Sequence, residues 1–263
     1  MIRLENVSKT FNPGTPDENT AIDSIDLEVH EGDFITIIGS NGAGKTTLFN
    51  LISGTYFPTE GEVLVNERRV TKVPEFRRAK YIGRIFQDPL VGTASNMTLE
   101  DNMMICLKKG FKGLRISLNQ RMRDFFTEKL RPLDMGLEHR LKENVNRLSG
   151  GQRQALTLLM MVLSEPALIL LDEHTAALDP KNAEIILRLT SEYIGEYNLT
   201  AMMVTHNMSQ AIEYGNRLIM MNKGKIILDI SGPEKQSLTV NKLVEKFHAV
   251  SRETLDSDEV RLS

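Results

Sequence analysis

Phe34-Ile35-Thr36-Ile37-Ile38-Gly39-Ser40-Asn41-Gly42-Ala43-Gly44-Lys45-Thr46-Thr47 decides the fold. Its first five residues are β-branched or aromatic, which suits a strand. A glycine-rich turn follows, and Lys45 to Ile52 then carries a helical pattern that stops near Gly54. Gly39 to Thr46 meets the spacing G-x-x-x-x-G-K-[ST]. In such a loop glycines let backbone N–H groups approach phosphate oxygens, Lys45 neutralises them, and the Thr46 hydroxyl reaches Mg²⁺. The helix that begins near Lys45 adds the positive end of its dipole.

Outward from this loop, further strands are predicted at Glu62–Val65, Tyr81–Phe86, Ala167–Leu171, Ala201–Val204 and Arg217–Met221. The last three alternate with helical patterns at Asn182–Tyr193 and Met208–Tyr214, which implies a mainly parallel sheet. Between Asp88 and Glu165 helical periodicity takes over, at Leu99–Lys108, Leu118–Leu130 and Gln152–Leu163. This stretch reads as a helical lobe inserted into an α/β core.

The chain has 263 residues, 41% of them hydrophobic, enough to fill one large domain or two lobes. Lys and Arg number 32 against 35 Asp and Glu, a net charge of −3, so there is no overall basic field for a phosphate backbone, and nucleic acid is not an expected partner. Cys106 is the only cysteine, which excludes an internal disulfide and a thiolate metal cluster. The longest apolar stretch, Ala155 to Leu171, is broken by Glu165 and Pro166, and Met1-Ile2-Arg3-Leu4-Glu5 does not read as a signal peptide. Any membrane role is therefore expected to come through a partner.

Leu168-Ile169-Leu170-Leu171-Asp172-Glu173 is an apolar strand ending in two carboxylates. It would deliver acids from a buried sheet to the edge where a nucleotide sits. Asp172 suits Mg²⁺, directly or through water, and Glu173 is the candidate for polarising an attacking water. Farther upstream, Leu148-Ser149-Gly150-Gly151-Gln152 places a hydroxyl and two glycines at a helix start, a natural anion nest.

These motifs, in this order and over almost the whole chain, resemble the ATP-binding cassette (ABC) ATPase family. The resemblance implies a P-loop NTPase (RecA-like) core with a mainly parallel sheet, an N-terminal antiparallel β portion and an inserted α-helical subdomain. It also implies one domain over 1–250, with core 1–87 and 166–250, helical lobe 88–165, and a charged tail at 251–263. Leu148 to Gln152 is similar to the family signature, which donates its serine and backbone N–H groups to the γ-phosphate held by a partner subunit. Gln87 resembles the glutamine that senses Mg²⁺ and water, and His206 the switch histidine that contacts the γ-phosphate and braces the catalytic carboxylate. Asp179, in Ala177-Leu178-Asp179, resembles the loop that crosses to the opposite subunit, and it also suits a helix cap before Pro180. Phe11 stands where the family often stacks an adenine ring. Tyr56 and Phe57 are also available for that role.

The implied function is ATP hydrolysis by the nucleotide-binding subunit of a bacterial ABC transporter, at the cytoplasmic face of the cell membrane. Its implied cofactors are ATP and Mg²⁺, and its implied partners are a second ATPase subunit, identical or related, and a transmembrane permease. Thr98-Leu99-Glu100-Asp101-Asn102 is similar to importer cassettes. The phrase Asp172-Glu173-His174-Thr175-Ala176-Ala177-Leu178-Asp179 resembles a bacterial subgroup with a separate permease and a substrate-binding lipoprotein, linked to aromatic amino acids. The alternative is a soluble ABC ATPase serving a cytosolic assembly, such as iron–sulfur scaffold maturation. The chain departs from the family in two places: His174 replaces the Pro that often follows the catalytic Glu, and Thr46 stands where Ser is commoner. His174 is read as a tolerated loop substitution, the other reading being a pH-sensitive contact. The Met pairs at 103–104, 160–161, 202–203 and 220–221 are read as core, as is Cys106. Lys108, Lys109, Lys112 and Arg115 are read as a solvated basic loop.

Overall fold

In the computed structural model the described residues are 1–107, 118–247 and 249. The chain begins with β1 (Ile2–Phe11), β2 (Asn19–Val29), β3 (Phe34–Gly39), α1 (Lys45–Ser53), β4 (Glu60–Val65) and β5 (Arg68–Arg69). It continues with α2 (Glu75–Arg78), β6 (Ile82–Ile85), α3 (Leu99–Leu107), α4 (Gln120–Leu130), α5 (Gly150–Leu163), β7 (Leu168–Asp172), α6 (Pro180–Glu196) and β8 (Ala201–Val204). Then come α7 (Met208–Glu213), β9 (Arg217–Asn222), β10 (Lys225–Ser231) and α8 (Gly232–Gln236), and residues 240–247 are helical beyond it. The predicted tail at 251–263 and the basic residues Lys108, Lys109, Lys112 and Arg115 lie outside the described residues. Among the described residues no helix is long and apolar enough to cross a membrane.

The chain divides into two compact units, Met1–Lys72 with the residues from Met203 onward, and Val73–Met202. In the first unit β1 pairs antiparallel with both β2 and β4, and β4 with β5. Ile2, Leu4 and Val7 of β1 and Ile22, Ile25, Leu27 and Val29 of β2 are buried. Neither β1 nor β2 shows an unbroken period of two. Asn6 takes a φ of 48° where the register shifts between Leu4 and Val7, and Ser24 takes 50°. These bulges hide the strands from a reading by alternation.

Also in this unit β3 pairs parallel with β9, from Ile35 opposite Arg217 to Gly39 opposite Met221. Strand β10 returns antiparallel along β9. The periodicity reading did not name β10, although the tight turn is written in the sequence. Lys223 and Gly224 take φ of 45° and 78°, as a two-residue hairpin requires. Ile38, Leu218, Met220, Ile230, Ala211, Leu238 and Leu243 form one apolar cluster here. Lys235 of α8 is 4% exposed, and its ammonium donates to the carbonyls of Ile212, Tyr214 and Gly215 at 2.9, 2.6 and 2.9 Å. Those carbonyls lie at the negative end of α7, which favours a cation.

In the second unit β6 runs parallel to β7, Ile82 opposite Leu168 and Ile85 opposite Leu171. Every residue of β7 is buried. Helix α5 packs on α3, α4, α6 and β6. Its start is a capping box: the Ser149 side chain accepts from the Gln152 amide, and the Gln152 side chain accepts from the Ser149 amide. This cap starts the helix at Gly150, two residues before the predicted Gln152. Helix α4 begins at Gln120, later than the predicted Leu118, because Asn119 caps it and accepts from the Met122 amide at 3.0 Å. Of the Met pairs, Met103, Met202, Met203, Met220 and Met221 are buried and the others half-buried. Cys106 is half-buried and its thiol donates to the Met103 carbonyl.

Candidate functional site

The phosphate-type loop lies in the first unit, between the buried strand β3 and α1. Two glycines are required by geometry. A Cβ on Gly39 would sit 2.3 Å from the Met221 carbonyl oxygen, so β9 and the loop approach more closely than any side chain permits. Gly44 has φ +100°, and a Cβ there would meet the Ala21 carbonyl oxygen at 2.6 Å. The β9–β10 turn braces the loop, since the Gly224 amide donates to the Ala43 carbonyl at 3.1 Å and the Asp23 amide to the Gly224 carbonyl at 3.0 Å. Lys45 is 6% exposed, and its ammonium donates to the carbonyls of Gly39 and Ser40 at 2.8 and 3.0 Å. No side chain caps α1, whose N-terminus carries the positive end of the helix dipole that suits an anion. Ser40, Asn41, Gly42 and Thr46 are exposed, and Thr47 is half-buried.

Four more predicted residues, Phe11, Tyr56, Phe57 and His206, belong to this unit. Phe11 ends β1, and its ring meets Tyr56 edge-on at 5.3 Å with the Lys9 ammonium 5.1 Å from its centre. Two of the three aromatic candidates thus form one cluster. His206 is exposed directly after β8. The preceding Thr205 is fixed, its amide donating to the Ile37 carbonyl at 3.1 Å and its hydroxyl to Gln210 at 2.9 Å.

The second unit holds Gln87, Asp172, Glu173, Asp179 and the Leu148–Gln152 segment. Asp172 ends β7 with its carboxylate 2.6 Å from the Arg84 guanidinium, their side chains 12% and 10% exposed. Glu173 has φ +48°, left-handed backbone that costs a non-glycine residue about 1 kcal/mol or more. Its neighbour His174 lies in the turn after β7 and is 2% exposed, its ring packed inside the unit. The Thr190 hydroxyl donates to the Ile186 carbonyl at 2.7 Å, which leaves its oxygen to accept the His174 Nε2–H at 3.2 Å. Burial pushes the His174 imidazole down to about 4.

The signature-like segment is held from three sides. Arg153, 6% exposed, donates to the carbonyls of Val145, Asn146 and Leu148. Arg140 donates to the Gln152 side-chain oxygen at 3.0 Å while also pairing with Glu143. A Cβ on Gly151 would lie 2.8 Å from Cγ of Asn182, whose amide side chain donates to Asp179 at 2.6 Å. Asp179 therefore touches the residue that abuts the signature-like glycine. It also caps α6 by accepting from the Asn182 amide at 3.1 Å, and the Asn182 side-chain bond holds its carboxyl below the usual range.

Sequence reasoning missed Arg84, Arg140, Arg153 and Gln154. A strand arginine between Gly83 and Ile85 is a local signal, since it must find a countercharge once β6 is covered. Arg140 has a local signal too, Glu143 three residues on, whereas nothing local marks Arg153 and Gln154, whose partners are backbone carbonyls placed by the fold.

Residues 22–176 match the profile of the family described as ABC transporter, a span that takes in the glycine loop, the signature-like segment and both carboxylates. The chain belongs to the ABC transporter family. This ABC protein is 40% identical over 248 residues, 94% of its length, to a tyrosine transport ATP-binding protein of Clostridioides difficile, of which it covers 98%. It is 32% identical to an energy-coupling factor transporter ATP-binding protein, EcfA2, of Clostridium tetani, over 87% of the chain and 78% of that relative. Among solved structures it superposes with a TM-score of 0.74 and 29% identity on a dimeric ATP-binding cassette in a post-hydrolysis state bound to ADP and Pi, covering 88% of this chain and 98% of that one. The ADP conformation of a second ABC transporter cassette matches with a TM-score of 0.74 and 27% identity, over 94% and 98%. The ABC chain is thus an ATPase that binds ATP through an α/β P-loop NTPase fold, as its order of motifs predicts.

Proposed function

We propose that this ABC ATPase is the nucleotide-binding subunit of an importer, pairing with a second copy around two ATP molecules and driving a permease that works with a substrate-binding lipoprotein. The observation that carries this reading is the match, nearly end to end, to a relative described as a tyrosine transport ATP-binding protein. Aromatic amino acids are accordingly the cargo class proposed. The peripheral place at the cytoplasmic face follows from the permease.

Lys45 and the α1 N-terminus hold the β- and γ-phosphates, and Phe11 with Tyr56 supplies an aromatic surface for the adenine ring. Glu173 orients the attacking water, Gln87 and His206 assist at the γ-phosphate, and Ser149 with Gly150 and Gly151 completes the site of the opposite subunit. Thr46, Gln87 and Asp172 offer hard oxygen donors of the kind Mg²⁺ takes. The described residues contain no group of three or more His, Cys, Asp or Glu that could hold a metal ion. When bound with ATP, Mg²⁺ supplies charge neutralisation on the phosphates.

Glu173→Gln tests the reaction. The variant is expected to retain ATP binding, accumulate as an ATP-bound dimer on size exclusion and lose turnover by roughly 10²-fold or more. Normal hydrolysis by Glu173→Gln refutes the assignment of Glu173. Co-purification from gently solubilised cells tests the partners: a stoichiometric multispanning protein and a lipoprotein support import, and a soluble scaffold in their place refutes it.

A further inference from the structure

Gln154 lies in the first turns of α5, is 1% exposed, and uses both N–H bonds of one amide on two backbone segments of its unit, one just after β6 and one just after β7. One goes to the His174 carbonyl at 2.7 Å and the other to the Phe86 carbonyl at 3.3 Å. Phe86 precedes Gln87, and His174 follows Glu173. The opposite atom of the same amide, Oε1, is buried and has no protein hydrogen-bond partner among the described residues. An acceptor left unmatched in the interior costs stability and calls for an explanation beyond packing. The strained backbone lies at the same place: Glu173 is held at φ +48°, and its C-terminal neighbour is fastened twice, through its carbonyl by Gln154 and through its ring by Thr190. Residues in such conformations persist only where the surroundings over-determine them.

We propose that Gln154 is a positioning residue for hydrolysis: by gripping the Phe86 and His174 carbonyls with one amide, it sets the backbone of Gln87 and of Glu173 relative to each other. Gln154 touches no nucleotide in this role, and its action runs through the two residues it aligns. The proposal rests on the reading of Glu173 as the residue that orients water. It departs from a packing role in one measurable respect, since the bridge governs turnover and not the affinity of the glycine loop for ATP.

The test compares the full-length wild type with Gln154→Leu, Gln154→Met and Glu173→Gln in steady-state ATPase assays, fluorescent-ATP titration and urea unfolding. Leu and Met fill the space without N–H donors. The expected result is a kcat lower by about tenfold or more in both, with KM and nucleotide affinity within about threefold of wild type and a cooperative unfolding transition at a somewhat lower midpoint, because the Phe86 and His174 carbonyls lose their donor. A folded Leu or Met variant with kcat within about twofold of wild type overturns the proposal. So does failure of both variants to fold, because the bridge would then be structural. Normal turnover in Glu173→Gln instead removes the premise about Glu173, and that outcome is separate from either result at Gln154.

Discussion

Replacing Arg84 by Met leaves the Asp172 carboxylate, 12% exposed, without the guanidinium that meets it at 2.6 Å. A buried pair contributes little relative to well-packed apolar groups, but removal of one partner strands the other charge in a low-dielectric setting. That cost is about 3 kcal/mol, which for a chain of this size lowers the melting temperature by roughly 6–12 °C. Asp172→Asn alone removes the countercharge facing Arg84, whose guanidinium keeps the Phe86 ring 4.8 Å away, and is expected to cost about 1–3 kcal/mol. The double variant Arg84→Met/Asp172→Asn strands neither, so it should recover about 2 kcal/mol relative to the sum of the single changes. Urea unfolding followed by circular dichroism at pH 7.5, without nucleotide, measures all four proteins independently of catalysis. A loss below about 1 kcal/mol in Arg84→Met, or additivity in the double variant, refutes the view that these two groups depend on each other.

Three other outcomes follow from the geometry. Gly44→Ala drives a Cβ to 2.6 Å from a backbone oxygen and should weaken ATP binding by about tenfold or more, whereas Gly42→Ala, at φ +78° with nothing within 4 Å, bears only a conformational cost of about 1 kcal/mol; calorimetric titration that ranks them equal contradicts this. His174 is held neutral in the folded chain at about 4, so the unfolded chain takes up its proton first as pH falls. Its contribution is complete above the unfolded value near 6.5 and is lost below it, about 2 kcal/mol between pH 7.5 and 5, and the slope should vanish in His174→Leu unfolding curves. Ser149→Ala removes a cap and should lose about 1 kcal/mol, while Ser149→Asp restores the cap but opposes a γ-phosphate with negative charge. Stability should therefore recover in the Asp variant while hydrolysis does not, as melting and phosphate-release assays will show.

What could be read in advance was local. The Phe34–Thr47 run specifies strand, turn and helix through neighbours in sequence, and the observed β3 and α1 lie within a residue of the predicted ends. The motif order likewise led to the ABC family. β1 and β2 escaped naming because their bulges at Asn6 and Ser24 break the period that reveals a strand. The ring of His174 could not be placed, because its partner Thr190 lies 16 residues on and is brought to it only by the packing of α6. Gln154 reads as one more polar residue after the glycines, and its two carbonyl partners lie 68 and 20 residues away.

Lys235 and Lys45 are both buried amines of the same unit, one locked on the carbonyls at the end of α7 and the other lying in the glycine loop. Acylating reagents modify an amine only when its lone pair is free and reachable. In a labelling time course the surface lysines would react at once, and these two only when their surroundings open. Lys45 would then record occupancy of the nucleotide loop, whereas Lys235 would record loosening of α8 from the end of α7. Two positions read from one mass spectrum would separate a ligand-dependent change from general breathing of the unit, with no probe attached to the protein.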